Sequence, residues 1–140
     1  MQNAAYTAGL AFRRIGTGYI HAVAHRLGEF YHIPHGLSVA VCISPVLRAY
    51  MPFGAGRLSE LSVYCGFADE SCSCEEKAKA FISAIEELNE RLGILASNIP
   101  FDEKDAEDIA RRAQEEAKIV GSPRPFSDAE LKDIILSIFR

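Results

Sequence analysis

All four histidines of this chain fall inside one segment, residues 18–36, which reads GYIHAVAHRLGEFYHIPHG. That segment constrains the fold more than any other stretch. His21 and His25 are four apart, so on a helix they share one face, one turn apart. An unbroken helix would carry His35 about 21 Å beyond His21 at ~1.5 Å per residue. Gly28 offers a helix stop. With a stop there, His21 lies roughly 10 Å below the turn, and the seven residues from Gly28 to His35 span up to ~23 Å when extended. His35 therefore meets His21 only if the chain reverses within EFYHIP, while a continued helix would place His32 ~16 Å from His21. Imidazole suits Fe, Zn, Ni and Cu, which makes the segment a candidate metal site. HAVAH lacks the Glu of HExxH, which excludes the zinc-protease chemistry of that motif. Two alternatives stay open: ordinary hydrogen-bonded histidines, and an open three-His zinc site of His21, His25 and His35.

Around this segment the chain reads as helices separated by Gly and Pro. A first helical stretch carries Ala4, Ala5, Ala8, Ala11, Phe12 and Ile15 on a broad apolar surface and runs toward the Gly28 stop. Gly9, Gly16 and Gly18 lower its propensity but permit close backbone approach. Pro34 suits the first turn of a new helix. That helix, GLSVAVCISPVLRAYM, is apolar nearly all round, as a central buried helix should be, and Pro45 is expected to kink it. A separate short helix is expected around residues 58–65. Ser73 with Glu76 forms a capping box for a helix ending at Arg91 and Leu92, with Gly93 as its stop. Asp102 or Asp105 caps the next helix, through Ala117, and Ser127 with Glu130 opens the last, residues 128–139. The sum is about six helices, an all-α multi-helix domain over residues 1–140. The VAVCI run is the one stretch that also reads as a buried strand.

The net charge of −4 gives no electrostatic footprint for nucleic acid. No uninterrupted apolar run reaches the ~20 residues of a membrane span, and the first residues lack signal-peptide anatomy. The expectation is a cytoplasmic protein with neither nucleic-acid nor membrane partners. Cys42, Cys65, Cys72 and Cys74 form no pair of C-x2-C knuckles, and Cys72-Ser-Cys74 is too tight for an easy disulfide, so they read as free thiols rather than metal or redox sites.

Three stretches together, AGLAF at 8–12, GYIHAVAHRLG at 18–28 and PHG at 34–36, resemble the C-terminal helical domain of the iron-containing (group III) alcohol dehydrogenases. SPRPFSDAEL at 122–131 is similar to that family's final N-P-R-x-x-T/S-x-E-D/E-L segment. The resemblance implies the dehydroquinate synthase-like α domain. It implies a divalent metal, Fe²⁺ before Zn²⁺, held by His21 and His35. It places His25 beside the nicotinamide or in a proton relay, and Phe12 at the substrate pocket. The activity implied is interconversion of a small alcohol and its aldehyde or ketone with NAD or NADP.

Two parts of the family pattern are missing. No D-x3-H helix supplies the remaining Asp and His ligands, and nothing resembles the GGGS phosphate segment of the nucleotide domain. Ser122 also stands where the family has Asn, and the Cys of its A-C-T-x-x-N-P-R form is absent. The expectation is the C-terminal metal-binding part of a two-domain enzyme, inactive alone. Its partners would be an N-terminal nucleotide-binding domain, a small alcohol or aldehyde, and further copies in a homo-oligomer. A helical interaction module or degenerate homologue without catalysis is the alternative.

Overall fold

The computed structural model describes residues 1–13, 16–117 and 122–140. Six α-helices account for most of them: α1 (Gln2–Phe12), α2 (Gly18–Tyr31), α3 (His35–Tyr64), α4 (Cys74–Arg91), α5 (Ala106–Glu116) and α6 (Asp128–Ile138). Two 3-10 turns, Ala96–Asn98 and Glu103–Asp105, join α4 to α5. No strand occurs among the described residues, so VAVCI is helical.

The core forms where apolar stripes of four helices meet. On α5 the stripe is Ala106, Ile109, Ala110, Ala113 and Ala117, the three-four spacing of one helix face. It packs against Tyr19, Ala22, Val23 and Leu27 of α2 and Leu131, Ile134 and Ile135 of α6. Four alanines on the α5 stripe let its backbone approach these neighbours closely. Val41, Cys42, Val46 and Tyr50 close the core from α3. A smaller cluster, Leu58 with Ala78 and Ile82, joins the far half of α3 to α4.

Three sequence expectations give way here. The first helical stretch is two helices, with Gly16 before α2 and Gly18 at its first residue both at φ +73°. α1 has no buried residue, and its Tyr6, Leu10 and Phe12 face solvent. Ile15 lies outside the described residues. α2 does not stop at Gly28 but continues to Tyr31. There His32 takes the left-handed position (φ +52°), alone among non-glycine residues described. Pro34 disfavours the helical region at Ile33, the residue before it, so the helix ends ahead of that pair. At Gly28 a Cβ would stand 3.6 Å from the Ile33 carbonyl oxygen, an ordinary contact, and the helix runs straight through it. Finally, α3 runs unbroken through Pro45 and Pro52 and absorbs the helix expected at residues 58–65. Each interior proline costs about 3 kcal/mol of helix propensity. Packing against α2, α4 and α6 offsets that cost. α3 is also long and apolar enough, by length and composition, to cross a bilayer.

Other expectations hold. Ser73 and Ser127 each complete a capping box with Glu76 and Glu130, and Gly93 ends α4 at φ +68°. Asp102 caps the 3-10 turn leading into α5, its side chain accepting from the Lys104 amide. All four cysteines are unpaired, and burial pushes the Cys42 thiol up to about 12.

Tyr19 fastens the last segment to the core. Its hydroxyl donates to Gln114 Oε1 at 2.7 Å and accepts from the Phe126 amide at 3.2 Å. Tyr50 stacks on Phe126 with ring centres 4.6 Å apart. Arg124 forks onto Glu130 at 2.5 and 3.2 Å.

Two outcomes are expected. Leu27→Ala, which empties a fully buried site, should lower the urea-unfolding free energy by about 2–5 kcal/mol, while Tyr6→Ala on exposed α1 should change it by less than about 0.5. The second concerns acid. The Arg124 guanidinium, with the Ser127 amide and hydroxyl, lowers the Glu130 carboxyl to about 2. The stabilisation from its ionised form is complete above its ordinary value near 4.5 and is lost as pH falls through about 2. Glu130→Gln should therefore flatten the acid limb of a stability–pH curve between those values.

Candidate metal centre

The turn at His32, Ile33 and Pro34 brings the start of α3 back onto α2, and with it His35, the first residue of α3. His21 and His25 stand one turn apart on the facing side of α2. The three imidazoles converge. Their ring centres lie 5.9 Å apart for His21–His25, 5.4 Å for His21–His35 and 5.1 Å for His25–His35. His25 and His35 are exposed and His21 is half-buried, so the cluster opens on one side to the surface.

His32 forms the turn that makes this convergence possible. Phe12 sits at the end of α1, 41% exposed.

Electrostatics at His21 favour its neutral ring. Desolvation lowers the His21 pKa from its ordinary value, and neighbouring His35 and His25 lower it further. The Thr17 backbone carbonyl and the Glu116 carboxylate oppose this less strongly. A metal ligand must be a neutral imidazole, so at His21 burial and crowding act in the direction ligation requires.

Among the described residues no group of three or more His, Cys, Asp or Glu side chains is placed to hold a metal ion. The spacing of the ring centres is nevertheless close to that of imidazoles on a shared ion. Two imidazoles bound at ~2.0–2.1 Å around a tetrahedral centre place their ring centres about 5 Å apart. The observed separations exceed that by less than an ångström.

A chain of alternating charges fixes one edge of the cluster, and this the sequence did not show. Asp108 Oδ2 pairs with Arg112 at 2.9 Å, and Arg112 reaches across from α5 to Glu29 at 3.0 Å. Glu29 pairs with Arg26 at 2.8 Å, and Arg26 with Glu116 Oε2 at 2.8 Å. Glu116 Oε1 then meets His25 Nδ1 at 2.5 Å. Glu116 is 91 residues from His25 in sequence, and a lone Glu at the end of a charged helix carries no signal of such a role.

Comparison with known proteins agrees with the resemblance read from the motifs. The sequence model of the Fe-containing alcohol dehydrogenase family, C-terminal part, matches residues 1–139. Lactaldehyde reductase of Escherichia coli K12 is 31% identical over 132 residues, covering 93% of this chain and 34% of that protein. Alcohol dehydrogenase 4 of Saccharomyces cerevisiae is 33% identical over 136 residues, covering 94% of this chain and 34% of that protein. Among solved structures, an alcohol dehydrogenase from Oenococcus oeni superposes with a TM-score of 0.87 at 27% identity, over 94% of this chain and 35% of that one. A 1,3-propanediol oxidoreductase superposes with a TM-score of 0.81 at 27% identity, over 87% of this chain and 32% of that one. The chain thus spans about a third of the length of the relatives it matches.

Proposed function

This chain belongs to the Fe-containing alcohol dehydrogenase family, and from that membership we propose that it is the metal-binding portion of a dehydrogenase interconverting a small alcohol and its aldehyde or ketone. The observation that carries the reading is the convergence of three imidazoles from two helices, each ring centre within 6 Å of the others. His21 and His35 would hold a divalent ion, Fe²⁺ before Zn²⁺, through neutral ring nitrogens. Such an ion, when bound, supplies Lewis acidity to an alcohol or carbonyl oxygen, while a nicotinamide, NAD or NADP, exchanges the hydride.

The chain's own residues supply placement. The turn at His32–Pro34 sets the two ligand-bearing helices against each other, and the α2–α5 core holds that arrangement rigid. Lowering of the His21 pKa keeps its nitrogen available near neutral pH. His25, exposed beside the pair, would pass a proton or face the nicotinamide. Phe12 would line the substrate side from the end of α1. The remaining Asp and His ligands would come from a D-x3-H helix earlier in the same helical domain, and the nucleotide-binding surface from an upstream nucleotide domain that carries the Gly-rich phosphate segment.

Half of a four-ligand site suggests roughly 5–8 kcal/mol of binding, a Kd from roughly micromolar to sub-millimolar. Titration of the metal-free chain with anaerobic Fe²⁺ and with Zn²⁺ should show that affinity, and both His21→Ala and His35→Ala should weaken it at least tenfold. His25→Ala should leave it unchanged; a comparable loss there would mean a three-His site instead. Nanomolar binding would contradict the half-site reading, and absence of binding would contradict the metal role altogether. The chain alone should catalyse no alcohol-dependent reduction of added NAD or NADP.

A further inference from the structure

The contact between His25 Nδ1 and Glu116 Oε1, 2.5 Å long, joins α2 to the last residue of α5. Nothing in the proposed chemistry uses that carboxylate. Its second oxygen is not free to turn, because Arg26 donates to Oε2 at 2.8 Å. Arg26 is itself held by Glu29, which accepts from Arg112 at 3.0 Å. The carboxylate is therefore fixed from its far side before it meets the imidazole.

An ionised carboxylate can only accept hydrogen bonds. A short contact between it and a ring nitrogen is a charge-assisted N–H···O bond, with the proton on the ring. Nδ1 of His25 must then carry the proton, which in the neutral ring leaves a lone pair on Nε2. That ring stands 5.1 Å from His35 and 5.9 Å from His21. A second hydrogen bond of this kind is what selects the working nitrogen of a functional histidine.

The geometry points to Glu116 as the positioning residue of His25: it locks the imidazole in the Nδ1–H tautomer and so presents Nε2 as the acceptor at the histidine cluster. This rests on the preceding reading for its meaning, because a fixed acceptor matters only where the cluster is the reaction centre. Arg26 is the brace in this arrangement, and the α2–α5 ion-pair chain ties the orientation of His25 to the packing of two core helices. The sub-cluster also separates the roles of the histidines. His25 is committed through Nδ1 to a carboxylate 91 residues away, whereas no such anchor engages His35 among the described contacts.

The test reads the tautomer directly and needs no metal. The chain is prepared metal-free with ¹⁵N-labelled histidine and observed by long-range ¹H–¹⁵N correlation at pH about 8, where an ordinary imidazole is neutral. His25 is expected to show a protonated Nδ1 and a bare Nε2. Glu116→Gln retains an acceptor oxygen and should retain that pattern. Glu116→Ala should lose it, with the proton moving to Nε2, while the His21 and His35 patterns and the far-UV circular dichroism stay unchanged. A proton on Nε2 in the unaltered chain, or an unchanged pattern in Glu116→Ala, would overturn the role of Glu116. The unaltered chain decides the tautomer even if the alanine variant does not fold. The two readings fail separately: an Nδ1–H tautomer in a chain that binds no metal removes only the metal reading, and metal binding with an Nε2–H tautomer removes only the positioning role.

Discussion

The reversal at His32, Ile33 and Pro34 is the constraint on which the arrangement of this chain depends. Pro34 bars the helical conformation at the residue before it, and His32 accepts a left-handed backbone that a glycine would adopt more cheaply. Because the turn is so short, α3 must begin against α2 rather than away from it. His35, the first residue of α3, is thereby committed to the surface that His21 and His25 share. Ser38 secures the new helix by donating from its hydroxyl to the Pro34 carbonyl at 3.3 Å. The candidate centre is a direct product of how two consecutive helices meet.

Around that turn, two kinds of force do different work. Apolar burial along α2, α3, α5 and α6 supplies the cohesion and is indifferent to which polar groups end up outside. The charges between α2 and α5 supply little stability pair by pair, because exposed ion pairs are each worth about 0–1 kcal/mol. Their value is directional. Asp108, Arg112, Glu29, Arg26 and Glu116 alternate in sign and finish on His25, so that ring is aimed by a network rather than by one contact. Tyr31 adds a second link from the end of α2: its hydroxyl donates to Asp105 at 2.8 Å, and burial with that bond raises its pKa to about 12.

Much of this was legible in the sequence, and what was not has identifiable causes. Both capping boxes, the Gly93 stop and the final helix depend on contacts between residues three or four apart, which a sequence displays openly. The convergence of His35 with His21 was readable as a requirement, a reversal within EFYHIP, and the reversal occurs in its last three residues. By propensity Gly28 is the better stop for α2, but the helix passes through it and ends at Tyr31, ahead of Pro34. α3 was divided because prolines are costly in isolated helices, and the burial that outweighs them is a tertiary effect. The opening stretch was joined into one helix because its alanines hide the two positive-φ glycines. Glu116 could not be found at all, since its role exists only once α5 lies beside α2.

The decisive observation for this view is whether the imidazoles meet before any ion arrives. Nuclear Overhauser contacts between the ring protons of His35 and those of His21 and His25, recorded on the metal-free chain, would show it. Separations of 5.1 and 5.4 Å between ring centres predict clear cross-peaks for both pairs. Their absence in a folded chain would mean that the turn does not build the cluster, and that the histidines come together only when something else gathers them.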